Sequence, residues 1–94
     1  MTRLEIIHLR LTDGRPEDLV RGILQSATTL GRYSELLIYR RERVATDLSI
    51  HLVHRGPAEE LPSPFGMRLA SALREHGMVE HSVWTESKEG ANRE

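Results

Sequence analysis

The stretch "DLSIHLVHR", residues 47–55, decides the fold. As a helix it would put His51 and His54 on one face; as a strand it sends them to opposite faces. The run is short, and Leu48, Ile50 and Leu52 alternate with Ser49, His51 and Val53. That period of two predicts a strand over 46–55. On this reading the two histidines do not form a metal or catalytic pair.

Outward from that strand, "SELLIYRR" (34–41) reads as its hairpin partner, joined through "ERVA" (42–45). The segment "RLEIIHLRL" (3–11) is a third strand. Ile7, Leu9 and Leu11 line one face, and Leu4, Ile6, His8 and Arg10 line the other. Apolar residues on both faces suit a central position in a sheet.

Asp13-Gly14 is a turn signal, and Pro16 suits a first helical position, with Glu17 and Asp18 favoured by the helix dipole. Leu19, Val20, Ile23, Leu24, Ala27 and Leu30 then recur at helical spacing, with Gly31 as the stop. A proline-rich connection (56–64) leads to a second helix over 64–76. Ser63 is its cap, Phe65, Leu69, Ala72 and Leu73 face inward, and Gly77 is its stop. "MVEHSVWTE" (78–86) alternates as a last strand, Val79, His81 and Val83 against Glu80, Ser82 and Trp84. Residues 1–86 are expected to form one domain, and 87–94, with no apolar anchor, a frayed tail.

The order β-α-β-β-α-β with right-handed crossovers gives an α+β, ferredoxin-like fold: a four-stranded antiparallel sheet, order 4-1-3-2, with both helices on one face. Its central strands are then the first and third, the two that are apolar on both sides. The bare face would carry Leu4, Ile6, His8, Ser49, His51 and Val53. Flanking it would be Leu37 and Tyr39, or Leu36 and Ile38, together with Glu80 and Trp84. Such a face is too apolar to leave in water, and a second copy in a two-fold homodimer is the economical cover.

In element order, facing and extent (residues 1–86) the chain resembles the dimeric α+β barrel superfamily, in which two such sheets pack together. The resemblance is one of architecture and includes no signature motif. It implies a fold that hosts monooxygenases, isomerases and effector-binding domains, so function must come from a site.

Composition narrows the classes. The chain has 94 residues, 38% hydrophobic and 4% aromatic, so its core must be Leu, Ile and Val. A net charge of −1 removes the electrostatic case for nucleic acid or an anionic membrane. No apolar run approaches the ~20 residues that span a bilayer. "MTRLEIIHLRL" does not read as a signal peptide, and with no cysteine there is no disulfide, thiol nucleophile or thiolate metal site. The expectation is a soluble cytoplasmic domain. No glycine-rich phosphate loop is present, Trp84 and Tyr39 read as packing residues, and no cofactor or metal is expected. RNA binding on a ferredoxin-like sheet uses aromatics on the central strands, and here those strands offer only His8 and His51.

The candidate chemistry is histidine chemistry. His8 and His51 fall on one face of neighbouring strands and suit an acid/base pair, or half a metal site completed by Glu80 or a dimer mate. The plainer reading hydrogen-bonds both within a dimer interface. His81 would be the polar lining of any pocket between sheet and helices, and His76 suits the last turn of a helix. Arg40, Arg41 and Arg43 cluster at the hairpin tip, interrupted by Glu42 and Asp47, and read as a solvated tip. Ser26, Ser34, Ser49, Ser63, Ser71 and Ser82 lack a nucleophile-elbow context. Three functions follow: a homodimeric binding or scaffold protein, a small cofactor-independent enzyme using His8, His51 or His81 as acid/base on a small, partly apolar substrate, and a module whose open face receives a different protein.

Overall fold

The computed structural model describes residues 2–12, 14–56 and 60–87. The expected turn at Asp13, the middle of the proline-rich connection (57–59) and the tail at 88–94 lie outside the described residues. The elements are β1 (Arg3–Leu11), α1 (Pro16–Ser26), a short 3-10 turn (Ala27–Thr29), β2 (Ser34–Arg40), β3 (Asp47–His54), α2 (Pro64–Leu73) and β4 (Gly77–Thr85). The four strands form one antiparallel sheet in the order β2-β3-β1-β4, which read from the β4 edge is the expected 4-1-3-2.

β1 and β3 are the central pair. Ile7 lies opposite Ile50 and Leu9 opposite Leu48, all buried. These residues, with Leu11 and Leu52, form the sheet side of the core. Ile23 of α1 and Leu69, Ala70 and Leu73 of α2 form the helix side. Leu36 and Ile38 of β2 and Val79 of β4 pack against the same cluster. Parity therefore assigns Leu37 and Tyr39, not Leu36 and Ile38, to the open face, where β3 presents Ser49, His51 and Val53.

The helices differ from expectation in detail. In α1 the buried stripe is centred on Ile23. Leu24, 100° further round the wheel than Ile23 and past Val20, is exposed instead of inward. The helix ends at Ser26, before Gly31, and the Ser26 hydroxyl bonds back to the Ile23 carbonyl at 2.9 Å. In α2 the stripe is Gly66, Leu69, Ala70 and Leu73, at spacings of three, four and seven; Ala72 falls on the far side of Leu69 and is exposed. α2 stops at Leu73, and residues 74–76 turn through tighter bonds from Glu75 to Ala72 and from His76 to Leu73. Gly77 is then the first residue of β4. A Cβ there would sit 2.9 Å from the Arg10 carbonyl carbon, so close pairing with β1 requires glycine.

Gly66 and Gly22 test this packing with opposite signs. A Cβ on Gly66 would crowd the Glu5 carboxylate, 2.9 Å from its carbon, and lie 3.1 Å from the Ser63 hydroxyl; Gly22 has open space around it. Gly66→Ala is expected to destabilise by about 1–3 kcal/mol through overpacking. Gly22→Ala is expected to stabilise by roughly 0.5–1 kcal/mol through helix propensity. Thermal melts of the two variants should move in opposite directions.

Candidate functional site

β1 alternates inward and outward, and Glu5 is in phase with Ile7 and Leu9. Its carboxylate is therefore delivered into the layer between sheet and helices, where it is fully buried. Three elements converge on it. His54, at the end of β3, places Nε2 2.8 Å from Oε1, and His81, in β4, places Nε2 2.8 Å from Oε2. Ser63, the cap of α2, hydrogen-bonds Glu5 through both hydroxyl and backbone N–H while its Oγ accepts from the Gly66 N–H at 3.0 Å. Beyond His54, its Nδ1 lies 2.9 Å from the Ser34 hydroxyl of β2. The result is an unbroken chain: Ser34, His54, Glu5, His81.

Protonation along it follows from donor and acceptor types. Burial pushes the Glu5 carboxyl up, but the bonds from Ser63, His81 and His54 together outweigh burial and hold it below its ordinary value. An ionised carboxylate only accepts, so both histidines must carry a proton on Nε2. In the neutral ring, His54 Nδ1 is then an acceptor, and the Ser34 hydroxyl donates to it. Ser34, His54 and Ser63 line a pocket of about 420 Å³ that Tyr33 and Phe65 wall with rings and that Arg32 and Arg68 edge with positive charge.

The three histidines singled out in the sequence divide between the faces. His81 lies on the helix side, in the layer anticipated for it, but lines none of the pockets described. His8 and His51 share the open face without pairing: His8 lies opposite Ser49, and His51 opposite Ile6. His51 Nε2 is 2.9 Å from the Ser49 hydroxyl and its ring tilts against Tyr39 with centroids 4.7 Å apart. Burial pushes the His51 imidazole below its ordinary value, towards the neutral ring. His8 Nε2 lies 3.6 Å from Asp47, and Glu80 is opposite His8 on β4. Among the described residues no group of three or more His, Asp or Glu side chains has the arrangement of a metal site.

Asp47 organises one end of the open face. Its side chain is enclosed by Arg10 (3.2 Å), Arg41 (3.1 Å) and the Thr46 hydroxyl (3.2 Å). Arg40 instead pairs with Glu17 of α1 at 3.3 Å, so the arginines of the hairpin tip are largely used in ion pairs. Next to this cluster a groove of about 340 Å³ runs over Ile6, His8 and Ser49 between Tyr39 and Trp84.

Glu5, His54, Ser34 and Ser63 were not among the candidate site residues. Glu5 carried the clearest signal, since it alternates in phase with Ile7, Leu9 and Leu11; a charge on that stripe must find partners. Ser34, like the other serines, has no nucleophile-elbow context in the local sequence. The hairpin register, which puts Ser34 opposite His54, supplies the neighbour that local sequence does not.

The Asp47 cluster predicts a definite acid response. Hydrogen bonds from Arg10, and then Arg41, hold its carboxyl at about 2 against an ordinary 3.8. The folded value is depressed, so the stabilisation is complete above 3.8 and is lost as pH falls from 3.8 towards about 2. Melting temperatures measured from pH 5 to pH 2 should fall less steeply below pH 4 in Asp47→Asn than in the parent. Parallel curves would mean that the cluster does not contribute.

No family model, curated protein or solved structure matches this chain, so its function has to be argued from the geometry above.

Proposed function

We propose that this chain is a cytoplasmic homodimeric binding protein of ferredoxin-like protomers, two copies packing sheet to sheet through the open face in the manner of dimeric α+β barrels. The observation that carries the reading is the make-up of that face. Leu4, Ile6 and Leu37 are only half-buried, Tyr39 is 51% exposed and Trp84 57% exposed, all on one side of a sheet whose other side is covered. Ile6 and Leu37 lie in its middle, on either side of His51 and with Ser82 beside Ile6. Arg10, Arg41 and Asp47 lie at one end, and the Glu35–Arg55 ion pair, 2.8 Å, at the other. A centre that mixes aliphatic, aromatic and uncharged polar side chains, with a charged rim, suits a protein interface.

A second copy fits this face better than a charged macromolecule does. At a net charge of −1 two chains scarcely repel, and Tyr39 and Trp84, exposed on this face, would pack against their counterparts in a second copy. Four strands of seven to nine residues make a face of roughly 25 by 19 Å, so two roughened faces would bury on the order of 1,000 Å², the lower limit for specific association. Light scattering behind a sizing column over a hundredfold concentration range should return twice 10.7 kDa. Leu37→Asp, in mid-face, should weaken association by on the order of 100-fold while leaving the circular dichroism unchanged, since its side chain is no part of the core. A parent chain that stays monomeric throughout sinks the symmetric reading and leaves the open face to a different protein.

A second reading, a small cofactor-independent enzyme with a histidine acid/base, is favoured by a specific observation: a buried carboxylate holds two imidazoles, and one of them, His54, opens on the 420 Å³ pocket. Here His54 takes the role while His81 holds the second oxygen of Glu5, with His8 and His51 left to the interface. Titrating small aromatic carboxylates into the protein should move the ring resonances of His54 in NMR spectra while those of His8 stay in place. Ring resonances that do not respond to any such compound argue against this reading.

A further inference from the structure

We propose that Ser34, His54 and Glu5 form a nucleophile, its base and the carboxylate that orients the base, and that the pocket they open on takes small esters bearing an anionic or aromatic group. The proposal rests on the enzyme reading above and goes beyond it, because it names the nucleophile and the class of reaction. The geometry has the order acyl transfer requires. Ser34 Oγ is 2.9 Å from His54 Nδ1, and His54 Nε2 is 2.8 Å from Glu5 Oε1, each within the reach of proton transfer. Either ring nitrogen can serve as base, provided that the other is fixed by an acceptor, and Glu5 fixes Nε2.

The surroundings favour a site over a structural contact. Replacing a buried charge and its partners with packed apolar residues is often neutral or stabilising, so stability alone does not call for Glu5 at the head of a core stripe. Both its oxygens are engaged, by His54 on one and His81 on the other, and this holds the carboxylate in a single orientation. At the other end of the chain, Ser34 is half-buried and lines the pocket beside His54. Tyr33, whose ring carries the Arg32 guanidinium at 5.8 Å, and Phe65 give the pocket apolar contact surface for an aromatic group. The exposed guanidinium groups of Arg32 and Arg68 at its edge offer charge to an anionic substituent.

The steps balance. Ser34 Oγ attacks the ester carbonyl carbon and its proton passes to His54 Nδ1, giving an imidazolium that the Glu5 charge stabilises. The tetrahedral intermediate collapses, the bond to the alcohol oxygen breaks, and the alcohol leaves with the proton from Nδ1. Water then gives a proton to Nδ1 and attacks the acyl carbon; the bond to Oγ breaks and Oγ recovers the proton. Ester and water become acid and alcohol. Ser34 and His54 are the catalytic residues, and Glu5 is a positioning residue.

The experiment treats the whole chain with a fluorophosphonate probe, maps the adduct by peptide mass spectrometry, and follows hydrolysis of 4-nitrophenyl acetate. The expected result is one adduct per chain on Ser34, with hydrolysis lost in Ser34→Ala. Glu5→Gln should lower the rate with KM unchanged and move the ascending limb of the pH profile to lower pH, as a base without its counter-charge is weaker. A purely structural Glu5 would leave that limb in place, and so would overturn its positioning role. No adduct, or an adduct on another serine of the parent chain, overturns the proposal without any variant having to fold. Hydrolysis that survives Ser34→Ala but is lost in His54→Gln also overturns the nucleophile, and it leaves the histidine acid/base reading standing.

Discussion

A carboxylate with no exposure to water sits at the head of the core stripe of β1, and much of the architecture follows from the need to satisfy it. An unpaired buried charge costs several kcal/mol even after relaxation. Glu5 avoids that cost only because β3, β4 and the start of α2 each bring it a donor. α2 can come close enough because residue 66 is glycine, and its first turn is capped by the same Ser63 that serves the carboxylate. The polar cluster therefore joins all four strands and one helix in a single set of bonds.

The same cluster ties the sheet to its register. Core packing of leucine and isoleucine is tolerant of substitution among themselves, and it specifies alignment only through alternation. A slip of one residue in β3 would carry His54 to the open face, and the same slip in β4 would remove His81. Either slip leaves Glu5 with a missing partner as well as a disrupted core. Buried polar groups do not specify structure in every protein, but here both neighbours of β1 contribute a histidine to one carboxylate. On the other side of the sheet, the Arg10–Asp47–Arg41 cluster clamps the β1–β3–hairpin corner in a comparable way.

Alternation and punctuation carried most of the architecture. Leu48, Ile50 and Leu52 at period two identified β3, and with it the separation of His51 from His54. Pro16 and Pro64 marked both helix starts, and the two-sided apolar character of residues 3–11 and 46–55 gave the central pair. Helix ends were less legible. Ser26 bonding to its own helix and the tight turn at 74–76 depend on local geometry that a glycine rule does not contain. The candidate site was legible only in part. Parity puts His81 in the layer between sheet and helices, and the same parity applies to Glu5, which the reading of residues 3–11 leaves unassigned because a charged residue on an apolar stripe is easily taken for a strand-end exception. The Ser34–His54 contact was beyond reach, because it requires the hairpin register to the residue and a loop connection that alternation does not measure.

The open face and the Ser34–His54 pocket lie on opposite sides of one sheet, and that separation follows from strand geometry. Neighbours in β3 alternate, so His51 meets the open face while His54 meets the helices, although they are three residues apart. Sheet-to-sheet association would cover Leu4, Ile6, Leu37 and His51. The pocket at Ser34 and His54, flanked by Phe65 and Arg68 of α2, would stay open to solvent. Association and chemistry would then use opposite faces of one shared sheet: in a dimer its stiffness would hold β2 against β3, and the distance from Ser34 to His54 is a cross-strand distance between those two strands. Covering the open face would steady the edge strand that carries the hydroxyl, and in this way a dimer contact that touches no substrate can bear on the geometry of the pocket behind it.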